Sequence, residues 1–261
     1  MSKNYGLIIE PPKPEDFIFG AQKLGDSPLQ PDGNWLGYLP DIEQQRLYGV
    51  ETYACVSFTT LSIVEILERK LYGATSNWSD RFLSAISGTK EKRGNTPSNV
   101  GDFLRKQGVV PEKDYPFDET INTYEKFYAP VPNNLKTLAI AFTAEYSFGY
   151  EHVPSNYDAI MEALKYSPVG FSAYAWTKDS DGLYSRPQGM TDNHFTICYG
   201  YVRNNYWLIW DSYTEEGAPF KKVRWDSLPM QCKRFTLNRQ VVVESFWQLF
   251  IKQLRAILGL P

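Results

Sequence analysis

The chain has 261 residues, 43% of them hydrophobic and 22% charged, which suits a packed globular protein and excludes a disordered one. Its formal net charge is -3 with mixed signs along the chain, so there is no basic surface for nucleic acid. No segment approaches the roughly 18 apolar residues of a membrane span, and the opening residues hold three prolines (Pro11, Pro12 and Pro14) and several charges in place of a leader-like apolar run.

Residues 1–45 are rich in Pro, Gly and Asp and read as an extended arm with short turns, one of them at 31–34. From residue 55 to about 71 the pattern changes. Phe58, Leu61, Val64, Leu67 and Leu71 recur at helical spacing, and Ile63 and Ile66 widen the apolar surface, which predicts a central helix buried on most sides. Thr96 followed by Pro97 starts a second helix that ends at Gly108. A third runs from about 156 to 166 and stops before Pro168. From Val169 onward, short apolar and aromatic runs at 169–176, 194–202 and 206–213 are separated by Gly, Asn and Asp, with a tight turn at Asn204-Asn205. Helices first and strands later predict an α+β fold with two lobes. A catalytic domain is expected over 46–235. Residues 236–261 are assigned to a C-terminal amphipathic helix that docks on the domain or on a partner.

Three cysteines do not make a disulfide scaffold and fit a reducing compartment. Cys198 alternates within a strand and reads as core, and Cys232 as a half-buried thiol. Cys55 stands at the first turn of the central helix, where the dipole and free N–H groups favour a thiolate. Of the two histidines, His152 reads as a loop residue of structural use. His194 follows Asn193 at the start of a strand, where a base can be held rigidly. His194 lies 139 residues after Cys55, within the roughly 130–150 typical of papain-type nucleophile and base. Asp211 ends the next strand and is placed to orient the imidazole.

The run DNHFTICYGYV followed by NNYWLIWDSY resembles the papain-like cysteine peptidase family at its histidine and asparagine strands. ACVSFTTLSIVE resembles the family's cysteine helix, GNTPSNVGDFLRKQGVVPEKDYPF its Gly-Gly-x-Pro to Tyr-Pro-Tyr segment, and YDAIMEALKYSPVGFSAYA its Pro-Val strand entry. The resemblance covers roughly residues 50–215. It implies a two-lobe fold with a helical N-terminal lobe and an antiparallel-sheet C-terminal lobe, and a thiol-dependent hydrolase cutting peptide or related amide bonds. Cys55 becomes the nucleophile, His194 the base, and Asp211 the orienting residue where the family has Asn. Tyr213 stands where a Trp shields the histidine. Gly94, Asn95, Thr96 and Asn193 fall on the strip that binds the substrate backbone.

The family's oxyanion Gln, six residues before the cysteine, is Gly49 here. Glu51 and Gln45 are the nearest candidates. A carboxylate does not donate unless protonated, so Glu51 reads better as an acid near the helix N-terminus. An anion at 211 is expected to favour the thiolate–imidazolium pair and fast alkylation of Cys55 at pH 6–7. No metal or cofactor is implied. The partner is a peptide or protein substrate, without nucleic acid. The same triad also serves a cell-wall peptide amidase or a transglutaminase-type acyl transferase, and without an oxyanion Gln the scaffold would be an inactive binding module. A cytoplasmic protein is expected, and a viral or phage source fits as well.

Overall fold

The computed structural model describes residues 4–14, 16–20, 27–214 and 219–240. The C-terminal amphipathic helix expected after 240 lies outside the described residues.

A small hairpin, β1 (Arg46–Leu47) and β2 (Val50–Glu51), precedes α1 (Cys55–Tyr72). Every residue of α1 from 55 to 68 is buried, as a helix apolar on nearly all sides demands. Gly73 closes it in the left-handed conformation, φ 66°, with Arg69 and Lys70 in its last turn. Two acids on α1 are buried yet partnered: Glu65 accepts the Trp78 N–H and Glu68 the Trp78 indole N–H, each at 2.8 Å. Then come α2 (Asp80–Ile86) and α3 (Pro97–Gln107), the latter capped by the Thr96 hydroxyl with Pro97 in its first turn. α4 (Tyr124–Phe127), α5 (Asn133–Glu145), β3 (Tyr146–Val153) and α6 (Tyr157–Ala163) follow. The chain finishes with β4 (Val169–Ala173), β5 (His194–Val202), β6 (Tyr206–Trp210), β7 (Phe220–Arg224) and β8 (Cys232–Arg239).

The six-stranded sheet has the order β3-β8-β4-β5-β6-β7 with all neighbours antiparallel. Helix α1 lies against β4, β5 and β8, so its N-terminus meets the strands of the other lobe. The α+β arrangement is the expected one. Several elements were not legible in sequence. α2, α5, β3, β7 and β8 interleave charged residues with apolar ones, several of them buried (Asp80 and Arg81 on α2, Lys221 on β7, Lys233 on β8), which dilutes the apolar period. β8 runs to Arg239, so the boundary expected at 236 falls inside the sheet. His152 belongs to β3, not to a loop, and is buried beside Asp16 at 2.9 Å. Cys232 is fully buried, not half-buried, because β8 is an interior strand. No helix of the described residues is long and apolar enough to cross a membrane.

Candidate active site

Cys55 is the first residue of α1, and its side chain is sealed from solvent. The helix it opens packs against β5, where the Thr59 hydroxyl donates to the carbonyl of Phe195, the residue that follows His194, at 2.9 Å. His194 opens β5, held opposite Ala173 of β4. Its Nε2 lies 2.5 Å from Asp211 Oδ1, while Nδ1 is buried without a hydrogen-bond partner. An imidazole anchored at one nitrogen and unengaged at the other is arranged to take a proton at the second. Asp211 directly follows β6, and its second oxygen accepts the Trp176 indole N–H at 2.8 Å and meets Lys221 Nζ at 3.0 Å. Burial works to raise the Asp211 carboxyl, but His194 and Lys221 together hold it below the usual carboxylate range.

Three aromatic rings enclose the imidazole edge-on: Tyr213 at 5.3 Å, Trp176 at 5.5 Å and Tyr5 at 5.7 Å between centroids. Tyr213 was expected there; Trp176 and Tyr5 were not. Trp176 lies three residues past β4, the strand that pairs with the histidine strand.

Gln45 stands ten residues before Cys55, yet its amide enters the same site. Residues 46–51 fold out as the β1–β2 hairpin, whose turn has φ 53° at Tyr48 and 81° at Gly49. The hairpin brings Thr52 back to Gln45, its N–H donating to the Gln45 carbonyl at 3.2 Å. Gln45 is fully buried, with Oε1 accepting from Ser212 at 2.9 Å, and Nε2 donates to the Tyr213 hydroxyl at 2.5 Å and the Tyr5 carbonyl at 3.1 Å. Glu51 lies on β2, not at a helix start, and accepts the Tyr213 hydroxyl at 2.5 Å. It has no free donor to offer an oxyanion.

Residues 4–10 run across these groups. Tyr5 N–H donates to the Asn193 carbonyl at 3.0 Å. Asn95 N–H donates to the Gly6 carbonyl, and Ile8 N–H to the Asn95 carbonyl, both at 2.9 Å. The backbone approaches so closely that a Cβ on Gly94 would sit 1.8 Å from the Gly6 carbonyl oxygen, and one on Gly6 2.0 Å from that of Tyr53. Thr96 takes no part in this ladder; its hydroxyl caps α3. Burial pushes the Cys55 thiol up, and the charges of Asp211 and Glu51 push the same way.

No family model matches the chain. It is 24% identical over 174 residues to the thiol protease SEN102 of Hemerocallis sp., covering 62% of this chain and 45% of that protein. It is 23% identical over 165 residues to macrodontain-1 of Ananas macrodontes, covering 61% and 72%. The chain thus spans under half the length of the Hemerocallis relative. Among solved structures, procathepsin L 3 from the larval midgut of Tenebrio molitor superposes with a TM-score of 0.60 at 16% identity, covering 90% of this chain and 75% of that one. Bromelain of Ananas comosus in complex with E64 gives 0.56 at 19%, covering 78% and 98%.

The fold is papain-like. Within this papain-like frame the helix that Cys55 opens packs against the strand that His194 opens, Asp211 follows the next strand, and residues 5–8 hydrogen-bond to Asn193 and Asn95 beside them.

Proposed function

We propose that the chain is a thiol-dependent peptidase acting through an acyl-enzyme, with Cys55 as nucleophile, His194 as base and acid, and Asp211 as the residue that orients the imidazole. The observation that carries this reading is the buried His194–Asp211 pair, whose Nδ1 has no hydrogen-bond partner, on a strand packed against the helix that the buried Cys55 opens. In this mechanism Nδ1 takes the thiol proton while sulfur attacks the substrate carbonyl, then returns it to the leaving amine, and water releases the acyl group. Gln45 Nε2 is the side-chain donor for the oxyanion, since it already holds a carbonyl oxygen there. Substrate must displace residues 4–10, so the described state is a closed one. All three thiols are free, which suits a reducing compartment such as the cytoplasm.

Labelling with an E-64-type epoxide tests the assignment. Modification of Cys55 that disappears in Cys55→Ala and slows at least about a hundredfold in His194→Ala is the expected result. An unreactive Cys55 in a variant whose residues 4–10 no longer seat, such as Gly6→Ala, overturns it. Amine incorporation in place of hydrolysis would reassign the chain to acyl transfer.

A further inference from the structure

Five residues beyond the point where Tyr5 meets His194, the same strap ends in a charge site that the catalytic chemistry does not use. Glu10 Oε1 accepts the Ser98 backbone N–H at 2.6 Å and the Gln231 amide at 3.1 Å, and Lys233 Nζ lies 3.4 Å away. Gln231 holds residue 10 a second time, its Oε1 accepting the Glu10 N–H at 3.2 Å. The donors are built in: Lys233 is fully buried on β8, Ser98 is in the first turn of α3, and Gln231 is buried just before β8. Lys233 Nζ is also fixed by the Ser98 hydroxyl at 2.6 Å and His152 Nε2 at 2.8 Å, and it lies over the Tyr150 ring. A hollow of about 280 Å³ opens beside the site, so a side chain can reach it from solvent.

We propose that Lys233, Ser98 N–H and Gln231 form a subsite for an acidic side chain of the peptide substrate, which Glu10 occupies in the closed state. The proposal rests on the peptidase reading for the word substrate, but the recognition itself does not need catalysis. Its logic is physical. A peptide that displaces residues 4–10 takes over the same backbone partners, Asn193 and Asn95, and its side chains fall into the same hollows. A neutral side chain at the last of these leaves a buried ammonium without the carboxylate closest to it and two donors unmatched, which is far costlier than an exposed mismatch. The subsite lies at most about 18 Å along the cleft from the imidazole, the reach of five extended residues.

The test uses the full chain carrying Cys55→Ala and Glu10→Gln, which cannot turn over and whose own strap is weakened at this site. Fluorescent Asn-Tyr-Gly-Leu-Ile-Ile-Glu, the sequence of residues 4–10, is compared by polarisation with the same peptide ending in Gln. The Glu peptide should bind at least about tenfold more tightly, as expected for a charge-assisted contact. Adding Lys233→Met should reduce that ratio to about twofold or less. Should Lys233→Met fail to fold, Gln231→Leu, which removes a neighbouring donor, should lower the ratio in the same way. Equal binding of the two peptides, or no measurable binding of either, overturns the subsite. A Glu peptide that binds selectively while the Cys55 form of the chain cleaves nothing leaves the subsite standing and overturns the peptidase reading instead.

Discussion

Lys221 Nζ lies 3.0 Å from Asp211 Oδ2, with both side chains sealed from solvent. The pair as a whole carries no net charge. His194 therefore faces, through Asp211 Oδ1, a carboxylate whose charge is matched by a buried ammonium.

Asp211→Asn should leave the buried Lys221 ammonium with the Tyr213 carbonyl but without the Asp211 charge. The expected loss is about 3–5 kcal/mol of unfolding free energy, the range for breaking a buried ion pair from one side. Asp211→Asn combined with Lys221→Met should recover most of it, read from urea denaturation midpoints. A single variant as stable as the parent would show that the charges are not coupled.

Gly6→Ala places a methyl 2.0 Å from the Tyr53 carbonyl oxygen at a backbone φ of 111°. The strap cannot seat around it. Cys55 should then be alkylated by iodoacetamide at least about tenfold faster than in the parent, the effect of losing at least about 1.4 kcal/mol of strap binding. Mass spectrometry of the labelled cysteine reads the outcome, and Cys198 and Cys232, both in the sheet, serve as internal controls.

Gln45→Leu removes the side-chain donor while keeping most of its volume. In a chain with an open cleft, kcat on a fluorogenic peptide should fall by about 10²–10³, the usual cost of one oxyanion donor, with a smaller change in KM. An undiminished kcat would place oxyanion stabilisation elsewhere.

The fourth expectation concerns pH. Glu43, Glu65, Asp80 and Glu112 crowd together around the start of α2. Burial raises all four, and the Glu43 charge raises the other three further, with Glu112 pushed up to about 7. A carboxyl raised in the folded state binds protons the unfolded chain has already lost. Its stabilisation is thus full below the ordinary carboxylate range and disappears as pH rises through the raised value. Burial lowers His152 from its ordinary imidazole value near 6.5, and lowers Lys233 to about 8, and both act in the opposite sense. Between pH 6.5 and 7.5, above the first and below the second, urea stability should decline. Asp80→Asn should make the decline shallower.

Much of the site was legible because chemistry of this kind needs particular residue types at recognisable places. A cysteine opening an apolar helix, a histidine opening a strand and an acid closing the next one are local patterns, and Cys55, His194 and Asp211 each sit at an element boundary. Gln45 was hidden by the hairpin at 46–51, since a fold-out changes sequence distance without changing spatial distance. Its trace was the Tyr48-Gly49 pair, a turn between two short apolar steps. Trp176, Lys221 and Lys233 left no local trace. Each gains its meaning from a group far away in the chain: Asp211 for the first two and Glu10 for the third.

Periodicity and residue type alone determined the buried central helix and the antiparallel strands around the histidine, because these depend on interactions within a few residues, while the candidate triad needed the long Cys–His spacing and the family resemblance as well. Tertiary structure decided the state of the site. Whether Cys55 is open or covered, whether Asp211 acts as a charge or as half of a neutral pair, and what Lys233 holds all depend on burial and on partners 10 to 223 residues apart. Electrostatic energies in a dry interior are set by those partners, and no local pattern encodes them.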